Sequence, residues 1–291
     1  MKRNYVYILI FIICFLTFCN GILHQANFFE IISRALTEPG YINNFFMALE
    51  TVEYRAINPT LFNLIQYIFS SLLRRGIQYD VAVIFGSQLL QMLLPFFAII
   101  GGVKFYYYYN SIMQFEFGQN NRKNYRSTIG WYIVKNCFKI GVSIYGAYII
   151  YLGFVLLFFQ GSLGAESRSL FSDLIGNNLY VNHTTIYFML EGLITTFLMP
   201  ITYTALSQSV VLLGWNLKEV IATPIVYYYG MATIGYALYS FIPSLAIYIN
   251  PTVIMANGSY DFNSLLIILV NMTPLFIAFV IYMRRTKRAE I

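Results

Sequence analysis

The chain has 291 residues, of which 58% are hydrophobic and only 10% charged, with a formal net charge of +6. A soluble domain carries roughly 25% charged residues, so a water-soluble fold of this size is excluded for want of polar surface. Several apolar runs approach the ~20 residues that cross a bilayer as a helix, and alternating ~10-residue barrel strands are not seen. The expected class is therefore all-α and polytopic in a membrane.

The positive charge is not a nucleic-acid signature, because Lys and Arg cluster beside apolar runs, where topology signals sit. Cys14, Cys19 and Cys137 make no disulfide framework and read as buried thiols. The 26 tyrosines and 26 phenylalanines suit interfacial belts and packed helix faces.

In chain order, Lys2 and Arg3 precede an apolar run expected to form a first helix over 5–20. A cleaved signal peptide would need small residues after that run. Phe18-Cys19-Asn20-Gly21 supplies none, and Phe18 before Cys19 also argues against a lipoprotein site. Residues 23–82 form a long, aromatic outer loop. Within it, Asn43 to Ala56 and Thr60 to Arg75 have apolar residues near helical spacing, as in Leu61, Leu64, Ile65 and Ile68. They predict short amphipathic helices on the outer leaflet, broken at Glu38-Pro39-Gly40 and Asn58-Pro59.

A second span is expected over 83–103, a polar basic segment over 104–139, and a third span over 140–159. A second outer loop follows, then spans over 186–206, 221–241 and 264–282, with a broken or re-entrant piece between the last two. Six spans place both termini on one side. Lys2, Arg3, Lys104, Arg122, Lys123, Arg126, Lys135, Lys139, Lys218 and the four basic residues from Arg284 to Arg288 lie on that side. Only Arg34, Arg55, Arg74, Arg75 and Arg168 lie opposite. The positive-inside bias makes the basic side cytoplasmic.

Residues capable of chemistry are few. His24 and His183 have no cysteine or carboxylate at metal-ligand spacing. No phosphate-binding GxxxxGK[ST] loop occurs, so nucleotide hydrolysis is not expected in this chain, nor is a cofactor or metal. Paired carboxylates, His clusters and Ser-Lys dyads at membrane depth are also missing, which argues against an intramembrane enzyme. Glu191 is the one carboxylate inside a span. It is a candidate for the transport path or gating, with an interfacial or paired structural role as the plainer reading. Pro200, Pro224 and Pro274 are expected to kink their helices.

The central segment carries more. Asn110 to Phe117 reads as a short helix along the inner interface, ended by Gly118. Arg126 to Lys139 restarts a helix that becomes the third span, with Trp131 and Tyr132 at interfacial depth. Glu116, Gly118, Arg126-Ser127, Tyr132 and Lys135, together with Asn250-Pro251 after the fifth span, resemble the pattern of the membrane subunit of ABC-2 type ABC transporters. The segment departs from that pattern at Gln119-Asn120, where the family usually has Thr-Leu, and the first outer loop is long.

The resemblance implies a six-span permease whose segment 104–139 docks on an ATPase. Glu116, Gly118, Arg126, Tyr132 and Lys135 would form the coupling region, with Lys218 and Glu219 as a second, smaller contact. It further implies a separate cytoplasmic ATP-binding subunit, a second permease subunit (identical or related), and export of a peptide, lipid or other amphipath across a bacterial cell membrane. The competing expectation is a non-transporting immunity, sensor or assembly protein that binds a partner through residues 23–82.

Overall fold

The computed structural model describes residues 5–25, 28–48, 60–61, 63–65, 79–116, 125–158, 171–253 and 263–289. Gly118, Arg122, Lys123, Arg168 and most of the stretch expected to form amphipathic helices over 43–75 lie outside the described residues. Every regular element among the described residues is a helix.

The helices are α1 (Tyr5–Gln25), α2 (Phe28–Thr37), α3 (Tyr41–Ala48), α4 (Tyr79–Gln88), α5 (Leu90–Glu116), α6 (Tyr125–Phe158), α7 (Ser172–Ile175), α8 (Asn177–Asn182) and α9 (Thr184–Gly192). A π-helical turn over Leu193–Leu198 joins α9 to α10 (Met199–Val211). Then come α11 (Leu217–Tyr239), α12 (Pro243–Ile249), α13 (Ser264–Asn271) and α14 (Thr273–Ala289).

Three stretches are long and apolar enough to cross a membrane: Arg126–Leu157, Thr184–Val211 and Ser264–Thr286. A shorter apolar helix covers Tyr5–Gly21. The outside of the bundle is apolar too: Leu157, Val226, Phe241 and Phe276 are each more than two-thirds exposed. In water such surface would drive aggregation, whereas in lipid it is the expected covering. The protein is thus a helical one of membrane type. Helices α5 and α11 are 27 and 23 residues long. Their tyrosine runs, Tyr106 to Tyr109 and Tyr227 to Tyr229, make them less apolar than those three.

Helix α10 is the hub. It packs on α5, α6, α11 and α14, and all its residues except Ile201 are buried. Close approach there depends on Gly101 and Gly102 of α5. A methyl group on Gly101 would collide with Thr204 and Ile140, and one on Gly102 with Ser207 and Val220. Small residues let membrane helices approach to backbone distance, where dispersion and polar contacts replace the missing hydrophobic drive. The α10–α11 turn closes at Gly214, whose φ of 80° is a left-handed value that only glycine adopts freely.

The contacts sort the helices into two ends. At one end Tyr108 of α5 stacks on Tyr132 of α6, and Tyr282 of α14 donates to the Arg126 carbonyl of α6 at 2.9 Å. There too Ser207 of α10 donates to the Val220 carbonyl of α11 at 3.2 Å. At the other end the Tyr151 hydroxyl of α6 bonds the Ala82 carbonyl of α4 at 2.6 Å, and Phe18 of α1 stacks near Tyr151. Asp173 of α7 accepts from the backbone and hydroxyl of Ser264 at the start of α13, and Asn271 donates to the Tyr248 carbonyl of α12. Consecutive long helices therefore run antiparallel, and the described basic residues Lys104, Arg126, Lys135, Lys139, Lys218, Arg284 and Arg285 gather at the first end.

Two features differ from the sequence expectation. Asn110 to Glu116 is not a separate helix but the last turns of α5, which runs unbroken from Leu90. The second expected span is interrupted at Leu89, between α4 and α5. Pro274 follows the break at Met272 between α13 and α14, whereas Pro224 is accommodated inside α11. The piece after α11 begins with α12, which packs back on α11.

Candidate functional site

The described residues of the expected coupling region each have a distinct place. Glu116 is the last residue of α5. Arg126 is the second residue of α6, and its guanidinium reaches the Met283 sulfur of α14 at 2.9 Å, so the start of α6 is tied to α14. Tyr132 lies 3.6 Å from Tyr108, centroid to centroid, with the rings nearly parallel, and 5.7 Å from Phe105. Lys135 and Lys218 are exposed. Glu219 is exposed and its Oε2 accepts from the Asn216 backbone N–H at 2.7 Å. Its evident work is therefore to cap the start of α11. Arg126 and Tyr132 are thus brought to the α5–α6–α14 side, and Lys218 and Glu219 to the start of α11 at the same end.

Helix α6 is 34 residues long, about 50 Å at 1.5 Å per residue, against a hydrocarbon core of about 30 Å. Helix α5 is also longer than that core. Helix α6 therefore has length to spare beyond its apolar stretch from Ile140, and the surplus is its basic, aromatic start.

Glu191 and Pro200 flank the π-helical turn. Glu191 is 6% exposed, so its side chain is withdrawn into protein rather than held at the outer headgroups. Pro200 is buried at the start of α10. A proline has no N–H and crowds the carbonyl four residues earlier, here Thr196. The wider π turn between them relieves that crowding. Thr195 and Thr196 donate their hydroxyls back to the carbonyls of Glu191 at 3.2 Å and Gly192 at 2.7 Å, satisfying groups that the irregular turn exposes. The turn is braced from outside. Gly192 sits against Tyr148 so closely that a methyl group there would collide with its ring, and a methyl on Gly141, midway along α6, would come within 2.8 Å of Phe197 and 3.0 Å of Ile201.

A third group was not foreseen from the sequence. Deep at the basic end, the Tyr7 hydroxyl donates to Asn136 Oδ1 at 2.5 Å. Asn136 Nδ2 donates to the Gly101 carbonyl at 3.1 Å, and Gln208 Nε2 reaches the same carbonyl at 3.4 Å. The Cys137 thiol points to Gln208 Oε1 at 3.7 Å. One carbonyl on α5 thus gathers α1, α6 and α10 into a polar knot. Asn136 and Gln208 are buried, so each bond replaces water they have lost. The available signal was the run of polar residues in an otherwise apolar span: Thr202, Thr204, Ser207, Gln208 and Ser209.

Two buried hydroxyls stand apart. Thr204 Oγ1 and Tyr228 Oη find no hydrogen-bond partner among the described residues. Tyr228 lies within an aromatic cluster with Tyr203 and Tyr229. Among the described residues no group of His, Cys, Asp and Glu could hold a metal ion.

Comparison of the chain with protein-family models, with curated proteins and with solved structures finds no match.

Proposed function

We propose that this chain is the membrane-spanning permease subunit of an ABC transporter of the ABC-2 type. It crosses a bacterial cell membrane six times with both termini in the cytoplasm. It exports a peptide, lipid or other amphipathic compound, and ATP is hydrolysed by a separate cytoplasmic subunit. A second permease chain, identical or related, completes the membrane unit.

The observation that carries this reading is the pair α5–α6. Two helices longer than a bilayer core are locked together at the basic end by Tyr108 on Tyr132. Arg126 fastens the start of α6 to α14. A rigid pair of this kind can carry movement of a soluble partner into the membrane, whereas a plain topological loop needs no such length. The buried Glu191, the π turn and Pro200 supply a helix with a built-in irregularity, which suits gating.

The test is affinity purification of the full chain from its native membrane in mild detergent, followed by identification of what accompanies it. An ATP-binding protein with a phosphate loop should co-purify, and Glu116→Lys should reduce its recovery at least about tenfold, a loss of roughly 1.4 kcal/mol of binding. Recovery of no such protein sinks the proposal. A partner retained through Glu116→Lys and lost on deleting residues 43–75 would instead favour the membrane-bound immunity, sensor or assembly protein.

A further inference from the structure

Helices α11 and α12 meet at Gly235. A methyl group there would come within 2.6 Å of Asn250 Cβ and 3.2 Å of the Ala246 carbonyl, so the bare backbone lets α12 lie directly on α11. Beside this contact the chain leaves a recess of about 360 Å³, within the range of about 300–1,000 Å³ of small-molecule sites. Helix α11 starts at Leu217 beside Lys218, so the recess at Tyr236 and Tyr239 lies at the end opposite the basic residues. Those two tyrosines are three residues apart and share a helix face. Ala246, Ile247 and Val253 line the recess with them, and no charged side chain does.

Asn250 supplies the polar handle. It follows the last residue of α12 and is 4% exposed. Its Oδ1 accepts from the Thr252 backbone N–H at 3.0 Å and from the Thr252 hydroxyl at 2.8 Å. With that hydroxyl proton committed, the Tyr236 hydroxyl, 3.3 Å away, donates to Thr252 Oγ1. The backbone donor fixes which end of the amide is oxygen, so the other end is Nδ2 with its two N–H donors. Nδ2 finds no acceptor among the described residues, yet it is not sealed in. The sealed side-chain atoms without partners there are Thr204 Oγ1 and Tyr228 Oη. The opening left to Nδ2 is the recess that Asn250 lines.

We propose that this recess binds an uncharged ligand that presents a carbonyl oxygen to Asn250 Nδ2 and lays an apolar body against Tyr236, Tyr239 and Ile247. The free groups of Asn250 are donors, so the ligand's polar atom is an acceptor, and pairing it removes the cost of a buried donor left unmade. An ionised ligand is disfavoured, because no cation lines the recess to replace the water it would lose. The tyrosine rings offer flat apolar area. A peptide amide and the acyl ester of a neutral lipid share this chemistry. The site belongs to one chain and stands apart from the permease reading.

The test is native mass spectrometry of the full chain released from detergent micelles, titrated with two probes. N-acetyl-L-phenylalaninamide represents the peptide amide, and dioctanoylglycerol the neutral lipid ester. One probe molecule should bind saturably per chain. Binding of the first alone assigns a peptide-like ligand, of the second alone a lipid ester, and of both the shared carbonyl chemistry. Asn250→Leu should weaken binding at least about fivefold, the worth of one hydrogen bond. Val253→Trp, which fills the recess and leaves Asn250 intact, should weaken it as much, and decides the matter if Asn250→Leu does not fold. Leu157→Ala, at an exposed apolar position on α6, should bind as the wild type does. N-acetyl-L-phenylalanine, with its carboxylate, should bind at least about tenfold more weakly than the amide. The proposal is overturned if neither probe binds saturably, or if folded Asn250→Leu or Val253→Trp binds like the wild type. It is equally overturned if Leu157→Ala loses as much as they do, which would mark adsorption to the apolar surface, or if the carboxylate probe binds as well as the amide.

Discussion

The hydroxyl of Tyr7 and the amide of Asn136 meet at 2.5 Å although 129 residues separate them along the chain. This bond ties the first helix to the third long one and, through the Gly101 carbonyl, to the hub helix. Replacing Asn136 by Leu would leave the Tyr7 hydroxyl without its acceptor in a poorly hydrated site. The expected cost is about 1–3 kcal/mol. A cycle with Tyr7→Phe, followed by unfolding in detergent, should show a coupling of about 1 kcal/mol. Additive effects of the two substitutions would show that the bond contributes nothing of its own.

The approach of α5 to α10 predicts a steep response at Gly102. Gly102→Ala forces a methyl group into Ser207 and Val220, and overpacking of this kind costs about 1–3 kcal/mol. Gly102→Ala combined with Ser207→Ala should recover part of the loss, since the hydroxyl is the nearest obstacle. A Gly102→Ala protein that melts like the wild type would mean that α5 and α10 have room to separate.

Tyr228 should behave in the opposite way. Its hydroxyl is buried with no partner among the described residues, so Tyr228→Phe removes an uncompensated polar group and keeps the ring contacts with Tyr203 and Tyr229. Stability should be unchanged or higher by up to about 1 kcal/mol. Thermal unfolding decides it, and a clear loss would reveal a bound water or ligand group at that hydroxyl.

Pro200→Ala tests the origin of the π turn. With an N–H restored and the ring gone, residues 193–198 are free to wind as ordinary α-helix. Hydrogen exchange across that segment should slow at least several-fold, because regular backbone bonds open less readily. Unchanged exchange would shift the cause of the turn to Gly192 and its packing on Tyr148.

Some of this was legible in the sequence. Apolar runs marked the helices, and the restart near Arg126 corresponds to α6 beginning at Tyr125. Other features were not legible, for identifiable reasons. Asn110 and Ser111 after four tyrosines look like a break, yet Ser111 returns its hydroxyl to the Tyr108 carbonyl at 2.7 Å, and Tyr108 is anchored on Tyr132. Local bonding and a distant ring keep α5 helical to Glu116. Glu191 looked close enough to an end to reach headgroups, because depth along a helix says nothing of which face is covered. The knot at Gly101 was only partly legible: the polar run from Thr202 to Ser209 marks one side of it, but its acceptor is a backbone carbonyl, which no side-chain pattern announces. Its donors come from three helices whose mutual rotation only packing decides.

Helix α6 has its middle, at Gly141, pressed against Phe197 and Ile201 of the irregular turn and the hub. A stiff beam held at mid-length behaves as a balance. Rotating it by some ten degrees about that fulcrum swings each arm of about 25 Å through roughly 4 Å, in opposite directions. The absence of a side chain at Gly141 lets Phe197 and Ile201 pack directly against the middle of α6. A tilt of α6 about this contact would return displacement at the basic end at the far end with its sign reversed, through the contact beside the turn that carries Glu191 and Pro200.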